Sequence, residues 1–246
     1  MRSTSVSPRR NAPVLYQAGA SSRGRAFAAA HAECVFINGP TPQVVRPLVD
    51  DLRRRAASNG RQPADLVIFT LATVITGRTE AEARAKHAEY RSYADPEAAL
   101  ALFSGWTGVD FSKYRPDEEL RAIETEAMRS SLASFTSDDP NRVWTVRELA
   151  EHVAIGGRGP LFVGSPEQIA DTLMAWVEAT DIDGFNLAYA VTPESFEDFV
   201  ELVVPELQRR GVYKRDYRPG TLREKLFGAG RARLAPPHPA ARYRSA

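Results

Sequence analysis

The feature that most constrains this chain is a repeated rhythm: a short apolar run, a glycine or proline breaker, then a segment with apolar residues at helical spacing. It is met first at Pro13-Val14-Leu15-Tyr16-Gln17-Ala18, closed by Gly19 and followed by an Ala-rich helix over 23–32. It recurs at Cys34 to Ile37, where Asn38-Gly39-Pro40 ends the strand before a helix from about Pro42 to Ser58 that stops at Asn59-Gly60. A third strand is predicted over 65–75, the longest apolar run in the chain. A charged helix from Thr79 to about Tyr93 follows it, and another helical piece opens at Asp95-Pro96. Strands that alternate with helices through short turns run parallel with right-handed crossovers, because a right-twisted strand feeding a right-handed helix packs back onto its sheet only that way. The fold class is therefore α/β.

Between about 99 and 160 the rhythm breaks. Trp106, Phe111, Tyr114, Phe135 and Trp144 fall among Gly, Ser and Asp, with one polar helix expected from about Asp117 to Ser134. This reads as an insertion whose aromatics form a lid or packing layer, or anchor a loose excursion. Order returns at Leu161-Phe162-Val163-Gly164. Ser165-Pro166-Glu167-Gln168 then has the form of a capping box with proline at the first helical position, opening a helix to about Thr180. Asp183 to Tyr189 is the fourth strand, and Thr192-Pro193 starts a last long helix ending near Gly211. A closed (β/α)8 barrel needs eight strands, typically in about 250 residues. The 246 residues match that length but the strand count does not, because the insertion and both ends consume the difference. Residues 1–12, basic and Ser-rich, are expected to be a disordered leader, and 228–246, rich in Arg, Pro, Gly and Ala, a flexible tail.

Lys and Arg nearly balance Asp and Glu at a formal net charge of +1, which leaves no global electrostatic case for nucleic acid or an acidic membrane. No run approaches the roughly eighteen apolar residues of a membrane span. Cys34 is the single cysteine, so no internal disulfide forms and a cytoplasmic setting is expected; within Glu33-Cys34-Val35-Phe36-Ile37 it reads as a buried, inert thiol. His31, His87, His152 and His238 show no metal-ligand spacing, so no metal site is expected, and no Ser-His-Asp grouping has motif context.

Gly19-Ala20-Ser21-Ser22 is the stretch whose residue types suit chemistry. A glycine turn lets backbone approach an anion, the helix N-terminus behind it offers unpaired N–H groups and the positive end of a dipole, and two hydroxyls add donors. Arg23 and Arg25 could add charge. The competing reading is that Ser21 or Ser22 simply caps the helix. A rival anion site at Gly164-Ser165 ranks second, since Ser165 and Gln168 are placed to satisfy each other.

The segment Val14-Leu15-Tyr16-Gln17-Ala18-Gly19-Ala20-Ser21-Ser22-Arg23-Gly24-Arg25 through Glu33 resembles a signature of the luciferase-like flavin-dependent monooxygenase superfamily, in its nitrilotriacetate, long-chain alkane and dibenzothiophene-sulfone branch. Phe162 to Asp171 and Asp183 to Leu187 resemble that family's closing segments, in the same order, and the resemblance covers about 13–227. It implies a partial (β/α)8 TIM barrel made of the fifth to eighth strands, with a helical insertion after the seventh and the first four strands absent. It further implies cofactor binding at Gly19, Ala20, Ser21 and Ser22. The cofactor would be reduced FMN, supplied by a separate NAD(P)H-dependent flavin reductase and used with O2 to oxygenate a small organic substrate. Phe69, Leu71, Trp106 and Trp144 would line an apolar pocket or pack the core. The other flavin and substrate contacts of that family lie in the missing half. The alternative function is therefore a non-catalytic, truncated half-barrel that self-associates, and four parallel strands with two open edges predict a homo-oligomer in either case.

Overall fold

The structure is a computed structural model and describes residues 13–120 and 132–243. The expected leader over 1–12 and most of the polar helix expected from Asp117 to Ser134 lie outside the described residues. Among the described residues five parallel strands form one sheet: β1 (Tyr16–Ala18), β2 (Cys34–Ile37), β3 (Val67–Thr76), β4 (Leu161–Gly164) and β5 (Gly184–Ala188). The sequence reading counts four strands, and β4 is the addition. Its four residues, where order returns after the long insertion, pair with the far end of the ten-residue β3.

Strand β3 organises the sheet. Phe69 and Thr70 are registered to Phe36 and Ile37 of β2 and also to Gly184 and Phe185 of β5, which puts β2 and β5 on opposite edges. Thr73 is registered to both Leu161 and Ala188, so β4 lies opposite β5 and follows β2 along the same edge. Registered neighbours in a parallel sheet point to the same face. One face accordingly carries Val35, Ile37, Ile68, Thr70 and Ala72, all buried, and the other carries Tyr16, Phe36, Phe69, Leu71 and Asn186, half-buried or exposed.

Helices cover the buried face. Helix α1 (Ser22–His31) contributes Ala28 and Ala29, and α2 (Pro42–Ser58) contributes Val45, Val49, Leu52 and Ala56 at the three- and four-residue spacing that keeps one helical face inward. Past the sheet, α3 (Glu80–Tyr93) follows β3, and the insertion begins with α4 (Pro96–Thr107) and ends with α5 (Val146–Gly156). After β4, α6 (Pro166–Thr180) adds Ile169, Leu173 and Trp176 to the same core. The last long helix, read as continuous to Gly211, is divided into α7 (Glu194–Asp198), a π-helical turn (Phe199–Val203) and α8 (Val204–Arg209).

The aromatics of the insertion form a separate core. Phe103, Phe111, Phe135 and Trp144 are buried together with Leu149 and Leu120, with Phe135 and Trp144 edge to face at 5.1 Å. Trp144 is therefore internal to the insertion, and Trp106 packs against that same cluster. At the opposite end of the molecule, α9 (Leu222–Phe227) sends Arg223 into a buried ion pair with Glu33 at 2.6 Å, and His238 contacts the His31 carbonyl at 3.0 Å, so the residues after α8 pack beneath α1 and β2.

Candidate functional site

Strand β1 ends at Ala18, and the Gly19 N–H donates to the Phe36 carbonyl at 3.4 Å, which holds the turn against β2. Gly19 has φ +145°, backbone that a side chain rarely adopts, so a glycine is needed where the chain leaves the sheet. Ser21 then caps α1, its Oγ accepting from the Gly24 N–H at 3.1 Å. Ser22 Oγ accepts from Arg55 Nη2 at 3.2 Å. Both serines remain exposed, and the N–H groups of Ser22 and Arg23 make no hydrogen bond among the described residues. Gly24 matters too: a Cβ there would sit 3.1 Å from Ser21 Oγ and 3.4 Å from the Gly19 carbonyl, crowding the turn from behind.

The four residues singled out in the sequence thus share one turn, and the capping role proposed as the alternative for Ser21 is present. Arg25 is spent differently. Its Nε pairs with Asp51 at 2.6 Å and its Nη1 donates to the Ala20 carbonyl, so it braces the turn from α2. Burial alone would raise the Asp51 carboxyl, but hydrogen bonds from Arg25 and Arg55 hold it below the ordinary carboxylate range. A charged strut therefore ties the turn to α2.

In front of the turn lies a cleft of about 530 Å3. Ala20, Ser21, Ser22 and Arg25 form one wall; Asn38, just past the carboxyl end of β2, and Leu48 form another. The insertion closes the third side with Ser134 and Asp138, and Thr41 Oγ1 donates to Asp139 at 2.6 Å to hold that segment over the start of α2. Burial pushes the Asp138 carboxyl up, partly offset by Arg25. Sequence reasoning missed Asn38, Ser134 and Asp138. Asn38 carried a usable signal, since ligands in parallel α/β folds gather at strand carboxyl ends. Ser134 and Asp138 carried none, because they arrive from about a hundred residues away.

The rival turn at Gly164-Ser165 is occupied by its own cap. Ser165 N–H donates to Gln168 Oε1 at 2.9 Å, and Ser165 Oγ donates to Glu167 at 2.8 Å, so its donors are spent. A larger cleft of about 1000 Å3 is built by the insertion alone, between Leu100, Phe111, Tyr114 and Arg147, and shares none of its residues with the strand ends. Cys34 is buried, and burial raises its thiol to about 11. Among the described residues no three His, Cys, Asp or Glu gather as a metal site, and no helix is long and apolar enough to cross a membrane.

This geometry can be set beside known proteins. The family model for luciferase-like monooxygenases matches residues 2–183. Dimethyl-sulfide monooxygenase of Hyphomicrobium sulfonivorans is 48% identical over 240 residues, which are 98% of this chain and 50% of that protein. Long-chain alkane monooxygenase of Geobacillus thermodenitrificans is 43% identical over 97% of this chain and 50% of its own length. The solved structure of a riboflavin lyase with modified FMN and riboflavin superposes with TM-score 0.83 at 35% identity, over 95% of this chain and 51% of that one. The chain thus spans about half the length of the curated relatives it matches. A parallel strand ending in a Gly-Ser turn, and a family model matching from residue 2 to the residue before β5, lead to one conclusion: the chain belongs to the luciferase-like monooxygenase family.

Proposed function

We propose that this chain is the carboxyl-terminal half-barrel of an FMN-dependent monooxygenase and that it holds the flavin phosphate at Gly19, Ala20, Ser21 and Ser22. The observation that carries the reading is the open cleft in front of that turn, lined by the exposed Ser21 and Ser22 together with Ala20 and Arg25, at a helix start where the N–H groups of Ser22 and Arg23 have no hydrogen bond among the described residues. Helix N-termini favour anions because the first-turn N–H groups lack intrahelical acceptors and the helix dipole is positive there. Ser22 would hold the phosphate while Arg55 keeps its hydroxyl oriented, and the Arg25–Asp51 strut would keep the turn from opening. Bound reduced FMN, delivered by a separate NAD(P)H-dependent flavin reductase, supplies the electrons that activate O2. The half-buried face bearing Phe36, Phe69 and Leu71 would exclude water beside the flavin. The names of these two relatives support an apolar organic substrate, sulfide or alkane in kind. In this reading the sheet strands correspond to the fifth to eighth of the barrel, with β4 as an added strand on the return from the insertion.

The test is an anaerobic titration with reduced FMN followed by flavin fluorescence, with riboflavin as the phosphate-free control. Two hydrogen bonds to a charged group are together worth about 3 kcal/mol or more, so Ser21→Ala/Ser22→Ala should weaken FMN by about 100-fold and riboflavin little. Ser22→Ala alone, which leaves the helix cap in place, should account for about tenfold. Equal FMN affinity in the parent and both variants would refute the assignment.

A further inference from the structure

Beneath α1 the residues after α9 fold back and border a cleft of about 60 Å3 that shares no residue with the cleft in front of the Gly19 turn. Four arginines line it, Arg61, Arg223, Arg231 and Arg233, against a single carboxylate, Asp65. Arg223 is spent on Glu33 and on the carbonyls of Pro13 and Ala232. Arg231 Nη2 meets Asp65 Oδ1 at 3.3 Å, and the other Asp65 oxygen accepts from the Gln62 N–H at 3.0 Å. Arg61 is held differently. It is 4% exposed, and among the described residues only two of its five N–H groups have acceptors, the carbonyls of Ala29 at 2.9 Å and Asp65 at 2.6 Å. Burial lowers its pKa, and the charges of Asp65 and Glu33 offset that only in part. A charge taken out of water needs a counter-charge as well as acceptors, so a guanidinium buried against carbonyls alone is costly.

We infer that this cleft binds a small tetrahedral oxyanion, phosphate or sulfate in kind, which bridges Arg61 to Arg231 and Arg233 and so clasps the segment after α9 beneath α1. The size fits. One water needs about 10–15 Å3 by this measure, so the cleft has room for about four water-sized atoms, the four oxygens of one such anion, and none for a nucleotide. The chemistry fits as well, because guanidinium forks present paired donors to the oxygens of phosphate or sulfate and stay charged at any physiological pH. Phe227, Leu234 and Pro236 supply an apolar part of the wall, which lowers the local dielectric and strengthens each charge-assisted bond. The anion would supply Arg61 with the counter-charge that its carbonyl acceptors do not. The inference is independent of the flavin assignment, but inorganic phosphate would also visit a phosphate turn at Ser21 and Ser22, so the two sites need separate readouts.

The experiment titrates inorganic phosphate into the full chain at constant ionic strength in a phosphate-free buffer. Binding is read by calorimetry, the thermal midpoint by circular dichroism, and amide exchange at His238, Ala240 and Ala241, whose N–H groups are hydrogen-bonded within the segment. At a tenfold excess over Kd the midpoint should rise by about 3–6 °C, and these amides should exchange about tenfold more slowly. Arg231→Gln/Arg233→Gln changes two exposed side chains, so circular dichroism should stay that of the parent while phosphate affinity falls about tenfold or more. Ser22→Ala should leave the response of the three amides unchanged. Sulfate should replace phosphate, and chloride should not. Phosphate that neither binds nor slows these amides up to about 10 mM, or parent affinity in the double arginine variant, would overturn the inference. Chloride acting equally would show screening alone, and a response abolished by Ser22→Ala would place the anion at the flavin turn; either result is equally fatal to it.

Discussion

Arg223→Met should be among the most damaging single substitutions in the molecule. Arg223 is 4% exposed and Glu33 5%, and the guanidinium meets the carboxylate through two bonds of 2.6 and 2.9 Å. The same guanidinium donates to the carbonyls of Pro13 and Ala232, and Glu33 Oε2 accepts from the Leu15 N–H at 3.0 Å. One side chain therefore joins α9, the start of β1 and the residue before β2. Removing one member of a buried pair leaves an uncompensated charge and costs about 3–5 kcal/mol, more than the pair's net contribution. For a chain of this size each kcal/mol shifts the thermal midpoint by about 2–4 °C, which gives a fall of roughly 6–20 °C. Calorimetry and urea unfolding followed by circular dichroism both report it. Adding Glu33→Gln to Arg223→Met should recover part of the loss, because the amide oxygen can still accept from Leu15 while the stranded charge is gone. A single variant that melts within about 2 °C of the parent would refute the reasoning, since that shift is too small for a buried lone carboxylate.

Burial pushes the His152 imidazole down to about 4, against 6.5 for an ordinary histidine. The unfolded chain then binds a proton that the folded one excludes, so stability present above pH 6.5 is lost as pH falls towards 4, on the order of 3 kcal/mol in all. His152→Gln, which keeps a donor for the Gly159 carbonyl, should flatten that slope in urea midpoints measured across the window; an unchanged slope would assign it elsewhere. Gly159→Ala should cost about 1–3 kcal/mol, because its Cβ would lie 2.7 Å from the Leu71 carbonyl oxygen. Gly105→Ala, in α4 with nothing within 4 Å of the new carbon, should instead gain about 0.5–1 kcal/mol; urea titrations that rank the two the other way would contradict the packing described. Cys34, with its thiol raised to about 11, should resist a thiol reagent at pH 8 in the native protein and react readily in urea, and rapid native labelling would show that the site opens.

Much of the fold was legible because its signals are local. The runs at Cys34–Ile37 and Val67–Thr76 are apolar and rich in β-branched residues, and their breakers are glycine and proline, whose backbone preferences need no tertiary partner. The capping box at Ser165–Gln168 formed where residue types three apart called for it. Strand β4 was not legible, since four residues after a long insertion become a strand only when the extended end of β3 offers them an edge. The aromatics of the insertion could be seen but not placed. Whether Trp144 lines a pocket or fills a core depends on Phe135 and Leu149, and nothing in sequence order pairs them.

For the candidate site the division is similar. By itself the sequence determined that a strand ends in Gly19-Ala20-Ser21-Ser22 before a helix, because turn and cap preferences act over three or four residues. Only the tertiary structure decided that Arg25 turns away to Asp51, that Arg55 reaches Ser22, and that Asn38 and Asp138 complete the cleft. Those pairings join residues tens to more than a hundred positions apart. Their geometry is set by how the helices pack on the sheet, a property of the whole core that no short stretch encodes.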